Sequence, residues 1–545
     1  LGGAIVAEPA PLPRVPGIHG EAVGTASSNG PVLGVAAKAS GGLPMPEGVG
    51  WRIQGSGRKG GDLRAPDVVL PNTALEELGA SGAVGWHRGD WAIELSHSWY
   101  DLDQGMLSSA HIGNLSDLRH AMERGSPPDT SSWGFDPRRP EQRVGHQATK
   151  LELGAPLPAG WTVATTVSTQ VDRRREWDAH RPIDAGLAAV DAPQLDYELR
   201  ADAAEIVAAR PLRGWRTSIG ATVERQENEY AGRAFVPNYR AKGAGGWVSL
   251  ERSGAATSVD LGARWDVRTL DMWWRNSGEI RNSSSEWDGW SVGAGSAWRL
   301  GGIWSLRAHA STAWRPPSAV ELRADGLHHG TASIEMGDSS LGSERSWTGQ
   351  VSFDGKAGTW SASGSAWATR VDDYIGLRPI GRTVLTVRGA FPAFGYRAVD
   401  ATLWGGDVAV AVRPVPACEA SLRTDLLFTR DENGEPLPFA PVHKVVAGID
   451  GIAGRAGWLV EAKAGPRLEW FAEAEPTPDD YAPPPSSTWL LGFEASARMG
   501  EGGAWGVSLS GRNLTSRTWR DPTDRLRYFA PRPGVTIDAR VARRW

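Results

Sequence analysis

The chain ends Val535-Thr536-Ile537-Asp538-Ala539-Arg540-Val541-Ala542-Arg543-Arg544-Trp545. In an extended backbone Val535, Ile537, Ala539, Val541 and Trp545 fall on one side. Thr536, Asp538, Arg540, Ala542 and Arg544 fall on the other. A period of two marks a strand with one apolar and one polar face. The pattern recurs upstream. Trp161, Val163, Thr165, Val167 and Thr169 alternate with small or polar partners, as do Ile219, Ala221 and Val223. Trp290, Val292, Ala294 and Trp298 oppose Ser291, Gly293, Gly295 and Ala297, and Trp505, Val507 and Leu509 oppose Gly506, Ser508 and Ser510. Helical periodicity is almost absent. Many strands carry a Trp near an end, among them Trp51, Trp86, Trp91, Trp161, Trp247, Trp298, Trp360, Trp458 and Trp505. Indole is most favourable at a membrane–water interface, where the ends of a spanning strand lie. A soluble sandwich would instead bury its large aromatics in mid-strand.

Breaks rich in Gly, Pro, Asp and Asn separate these strands, and they come in two sizes. Arg252-Ser253-Gly254 and Glu501-Gly502-Gly503 suit tight turns. Long breaks run through 104–146, 172–200, 225–242, 314–346, 376–398, 430–443 and 470–486. Alternation of the two sizes fits short periplasmic turns and long extracellular loops. For 545 residues, about 22 strands leave about 25 residues for each strand and connection, of which roughly 10 cross the bilayer. The expected fold is all-β: a transmembrane antiparallel β-barrel of about 22 strands.

Composition agrees. Gly is 68 of 545 and Trp is 27, against 8 Tyr and 10 Phe; typical Gly usage is ~7%. No apolar run is long enough for a spanning helix, and the mean hydropathy is −0.34. A barrel hides its apolar face in alternation, so that average does not exclude a membrane. A net charge of −5 argues against a nucleic-acid partner. Cys418 is the single cysteine, which rules out a disulfide framework and a Cys-based metal cluster.

The residues before the last strand are the first specific signal. Gly511-Arg512-Asn513-Leu514-Thr515, Trp519-Arg520-Asp521-Pro522 and Tyr528-Phe529-Ala530-Pro531-Arg532-Pro533-Gly534 lead into a strand that ends in Trp545. This resembles the C-terminus of TonB-dependent outer-membrane receptors, where the terminal aromatic is recognised during barrel insertion. Trp314-Arg315-Pro316-Pro317-Ser318-Ala319-Val320-Glu321-Leu322, with Glu335-Met336-Gly337-Asp338, Leu341 and Glu344-Arg345-Ser346, is similar to a strand, loop and return of that family. Pro317 departs from the family's usual small residue. Ala110-His111-Ile112-Gly113-Asn114-Leu115-Ser116-Asp117-Leu118, Pro140–His146, Tyr374-Ile375 and Tyr396–Gly406 resemble the iron-complex-type subgroup. Leu1-Gly2-Gly3-Ala4-Ile5-Val6 resembles the end of the family's plug domain. The resemblance therefore implies 1–12 as the tail of a plug and 13–545 as the receptor barrel.

The resemblance implies active transport across the outer membrane of a Gram-negative bacterium. Outer loops capture a scarce ligand, an iron–siderophore-type complex first, and the TonB energy-transducing complex pulls on the plug. Its partners would be TonB, outer-membrane lipid, the barrel assembly machinery that reads Trp545, and a small ligand such as a metal chelate. No cofactor is expected. There is no H-E-x-x-H and no Walker loop, and the chain is read as no enzyme.

The loop candidates for ligand contact are His328, His329, Glu335, Asp338 and His111. Imidazole beside carboxylate suits zinc, nickel or a ferric complex, so His328 and His329 are also the metal candidates. Adjacent loop histidines equally serve as hydrogen-bonding partners that fix a loop. His146 belongs to the same long segment as His111. His87, His97 and His309 lie within strands. Arg173-Arg174-Arg175-Glu176 opens a loop of mixed charge that could draw an anionic chelate. Two other functions stay open: a plugless passive pore of porin type and a surface-binding module. Zinc, cobalamin, haem and an oligosaccharide stay open as cargo beside the iron complex, because loop residues and not the fold decide it.

Overall fold

The computed structural model describes residues 9–125, 133–178, 191–276 and 278–545. Leu1-Gly2-Gly3-Ala4-Ile5-Val6 lies outside the described residues. Among them, 22 antiparallel strands close into one barrel. Strands that follow one another along the barrel wall pair with each other, from Gly17–Ser27 to Thr536–Arg544. The first strand then pairs with the last, Glu21 opposite Arg544 through Ser27 opposite Asp538. Closure leaves no unpaired sheet edge to meet lipid.

The two faces of the wall follow the alternation. Val35, Ile53, Ile206, Ile219, Val223 and Ile449 are all at least half exposed on the outer face. On the last strand Ile537 and Val541 are exposed outward, while Asp538 and Arg540 line the lumen. An exposed apolar band on every side needs lipid to cover it. The lumen holds a cavity of about 1660 Å³ lined by Lys356, Arg423, Lys444, Lys463, Arg467 and Arg512 among other polar residues. No helix among the described residues is long and apolar enough to cross a membrane; the strands do the crossing.

In some cross-strand pairs Trp and Gly act together. Trp247 sits opposite Gly220, and Trp304 opposite Gly355. In both pairs the indole lies over the glycine, so a methyl group there would overlap the ring. An aromatic over a cross-strand glycine shields its backbone and fixes register.

Turns at one end of the barrel are short, as at 89–90, 213–214, 254–256 and 500–504. Arg213 and Gly214 both take positive φ, the geometry of a two-residue hairpin that twists with its strands. Connections at the other end are mostly long: 61–74, 106–140, 178–194, 316–343, 432–443, 472–487 and 513–535. Two expected breaks are strand instead. Trp215–Gly232 and Asn238–Ser253 take up most of 225–242. Their outer ends carry charge on both faces, and cross-strand pairs such as Arg240–Glu227 at 2.6 Å hold the ladder there. Trp360–Thr386 and Gly389–Val415 take up 376–398 as one long hairpin. The alternation did not signal the helix Leu115–Arg124 either. Asn114 caps it by accepting from the Asp117 backbone N–H at 2.9 Å, and it ends at Gly125.

The long connections do not stand free. Among the described residues, most of them fold together at the barrel's outer mouth around an apolar core. Leu70, Ile112 and Leu118, Ile334, Phe391 and Phe394, and Tyr528 and Phe529 come from four connections and the long hairpin and are all buried. Ser333–Met336 runs beside the hairpin, with Ile334 next to Ala393, and the Ala390 backbone N–H donates to the Ile112 carbonyl at 2.7 Å. Burying a large apolar side chain is worth about 1.5–3 kcal/mol, so together these side chains make the cap a folded layer rather than a fringe of loops.

Candidate functional site

A polar cluster lies within the cap. His329 is its centre, placed by a short turn between the small strands Asp325–His328 and Ser333–Met336. Nδ1 of His329 lies 3.1 Å from Nε2 of His111, and the two rings stack. Nε2 of His329 lies 2.7 Å from Oδ1 of Asp178 and 2.7 Å from Nη1 of Arg233. Arg388, at the tip of the long hairpin, donates from Nε to Oδ2 of Asp178 at 2.6 Å. A neighbouring group joins His328 Nδ1 to Glu335 Oε1 at 2.7 Å, and Arg525 Nη1 donates to the same oxygen at 2.6 Å.

The fold therefore brings together four of the five candidates: His111, His328, His329 and Glu335. Asp338 stands apart. Its carboxylate accepts from the backbone and hydroxyl of Ser340 at 2.8 and 2.6 Å, which only shapes its own turn. His146 stays in the wall, opposite Tyr100 and Asp172. His87, His97 and His309 also lie in strands. Arg173 is held by Asp196 through two bonds of 3.0 and 2.7 Å, Arg174 pairs with Glu176, and Arg175 lies over the Trp177 ring. Sequence reading missed Asp178, Arg233, Arg388 and Arg525. Each sits in or beside a different connection, and no local pattern announces that they meet.

The donor set does not make a metal site. His111 and Asp178 engage opposite nitrogens of one imidazole, so the three cannot close on one ion. Among the described residues no group of three or more His, Cys, Asp and Glu could hold one. Two short motifs of enzymes occur by chance. Gly289-Trp290-Ser291-Val292-Gly293 spells G-x-S-x-G, but it runs through the strand Glu279–Leu300 and not through a strand-to-helix turn. Gly55–Gly60 spells G-x-G-x-x-G inside the strand Val49–Gly60, with no helix after it.

Electrostatics tie the cluster to pH. Burial, with His329 close by, pushes His111 down to about 4. Burial alone would raise Asp178, but the His329 bond and the Arg233 and Arg388 charges outweigh it and hold the carboxyl well below its ordinary range. Glu335 is likewise lowered, by His328 and Arg525 against the effect of burial. The signs agree. Opened loops bind a proton on His111 below about pH 6.5 that the closed cap refuses until about 4, so the cap is fully stable above 6.5 and weakens as pH falls through that window. Asp178 and Glu335 add a further loss below the ordinary carboxylate range. The His111 part corresponds to about 3 kcal/mol. Amide exchange of 110–112 and 327–336, corrected for its intrinsic pH dependence, should be faster at about pH 5 than at about pH 7.5. In His111→Gln that difference should shrink. Equal protection at both pH values in the unsubstituted chain would show that His111 does not carry the effect.

Comparison with known proteins completes the picture. The family model described as TonB dependent receptor-like, beta-barrel matches residues 54–541. No curated protein matches the chain in sequence. Solved structures share its fold at low identity. The copper transporter OprC is 13% identical, with a TM-score of 0.77 over 99% of this chain and 82% of that one. The FrpB iron transporter from Neisseria meningitidis (F5-1 variant) is 13% identical, with a TM-score of 0.71 over 97% and 83%. The ferric enterobactin receptor PfeA from Pseudomonas aeruginosa, as a point mutant in complex with enterobactin, is 12% identical, with a TM-score of 0.69 over 98% and 82%. A 22-strand barrel with a loop cap, matched by that model along most of its length, places the chain in the TonB-dependent receptor family, whose members are outer-membrane receptors and transporters of Gram-negative bacteria.

Proposed function

We propose that the chain imports an iron–siderophore-type complex across the outer membrane, using energy transduced by TonB. The observation that carries this reading is the cap: several connections around the mouth share one buried core, and a polar cluster ties connections to one another. A passive pore has no use for a folded layer across its mouth. An importer does, because it must hold a scarce ligand before releasing it inward. The names of its structural neighbours point to metals and metal chelates, with copper as well as iron among them.

In this reading residues 1–12 are the tail of a plug and 13–545 the barrel, and the plug carries the contact with TonB. His111, His328, His329 and Glu335 belong to the loops that meet the ligand, with Asp338 as a more distant member. Trp545 is the mark read by the barrel assembly machinery, and outer-membrane lipid covers the apolar band. Zinc or copper in place of the iron complex is the second reading.

The cargo is tested in cells that lack their own metal-chelate receptors and carry the gene with the sequence upstream of Leu1 restored. Uptake of labelled ferric chelates should exceed that of labelled zinc and copper. Uptake of zinc or copper alone would replace the iron reading.

A further inference from the structure

We propose that Asp178 is a built-in occupant of an anion cage at the outer mouth, and that an oxyanion group of an incoming ligand displaces it and frees the loops. Three donors from three connections converge on this one carboxylate: His329, Arg388 and Arg233. The first two lie at 2.7 and 2.6 Å, and Arg233 Nη1 lies 3.4 Å from both oxygens. Asp178 is only 3% exposed.

The cage has more donors than its occupant can serve. Nε2 of His329 faces both Asp178 and Arg233 Nη1 at 2.7 Å. If that nitrogen carries its proton, it donates to Asp178 and turns an N–H toward the guanidinium. If it does not, it accepts from Arg233 and turns a lone pair toward the carboxylate. One contact fails either way. Arg233 Nε and Nη2 are buried and find no hydrogen-bond partner among the described residues. Glu176 stays 3.8 Å away from Nη2 and is already taken by Arg174. What the cage lacks is acceptor oxygen. A phosphate or a polycarboxylate, with more oxygens than the single carboxylate of Asp178, satisfies it better.

The cage can also be reached. The Arg388 side chain is 36% exposed, and its neighbour Val387, at the hairpin tip, is 94% exposed. Displacement would release Arg388 and His329 from Asp178, and with them the hairpin and the 316–343 connection. The inference rests on the importer reading only for the source of the anion, and its test does not use transport.

Purified chain in detergent is titrated with citrate and with acetate as probes. In Asp178→Ala the donors of the cage remain and its occupant is gone, so citrate should bind about ten-fold more tightly or better than in the unsubstituted chain. Acetate should restore the amide protection that 325–336 and 388–394 lose in that variant. Asp178→Ala with Arg388→Gln should lose the gain. Equal citrate affinity with and without Asp178 would overturn the proposal, as would a gain that survives loss of Arg388. Should Asp178→Ala run as an unfolded barrel on a gel, Asp178→Asn keeps the shape and removes the charge. It should still bind citrate several-fold more tightly, and no gain there would equally overturn it. Energy-dependent uptake would be untouched by either failure, so the two readings fall separately.

Discussion

Arg315→Ala should unfold the 316–343 connection while the barrel stays closed. Arg315 holds two carboxylates at once. It donates to Glu344 from Nε and Nη2 at 2.9 and 3.1 Å, and to Glu321 from Nη1 and Nη2, both at 2.9 Å. Glu344 is 2% exposed and also accepts from the Ile375 backbone N–H at 3.0 Å. Glu321 accepts in turn from the Ser318 backbone N–H at 2.7 Å, so it closes the capping box of the helix Ala319–Arg323. Without the guanidinium two carboxylates face each other, one of them buried and unpaired. Breaking a buried pair from one side costs about 3–5 kcal/mol. Amide exchange in 319–336 should rise by about a hundred-fold or more. Arg315→Lys should rescue little, because an ammonium cannot make four forked bonds. A rise of less than a few-fold in the alanine variant would show that Arg315 is not the tie.

Deleting Trp545 should have the second largest effect, this time on closure itself. The Trp545 backbone exchanges two hydrogen bonds with Gly20, at 3.0 and 3.1 Å, and its ring lies where a side chain on Gly20 would go. Two backbone bonds at about 1 kcal/mol each and a partly covered indole make about 2–3 kcal/mol. That lowers the closed fraction by about ten- to a hundred-fold where closure is near balance. Gly20→Val should do part of the same harm by expelling the ring. Gly24→Val is the control, since nothing lies within 4 Å of the added carbon. The closed fraction is read by heat-dependent mobility on gels. Equal mobility shifts for the deletion and for Gly24→Val would mean that the seam does not depend on Trp545.

Both effects explain motifs that were visible before the fold was. Arg315, Ser318, Glu321 and Glu344 form one hydrogen-bonded unit, and their spacing is what lets a strand, a helical turn and the returning strand share it. The barrel was legible for a similar reason. Inside lipid each strand must alternate, and Val535 to Val541 shows it without interruption. Beyond the lipid that constraint lapses. Arg225-Gln226-Glu227-Asn228-Glu229 is polar on both faces and reads as a loop, yet it is strand. Phe391 and Phe394 sit where the hairpin is packed on both sides, so their segment alternates no better. Within the site, His328, His329 and Glu335 were legible because chain proximity holds them together. Asp178 was not. Its partners lie in connections far apart in sequence, and only the closed ring of strands brings those connections to one point.

Transport driven by the inner membrane is the central claim, and collapse of the proton gradient tests it most directly. Cells carrying the gene with the sequence upstream of Leu1 restored are given a labelled ferric chelate, with and without an uncoupler. The account predicts binding at the surface in both cases and internal accumulation only while the gradient stands. Accumulation at the same rate after the gradient is gone would contradict it and leave a passive pore.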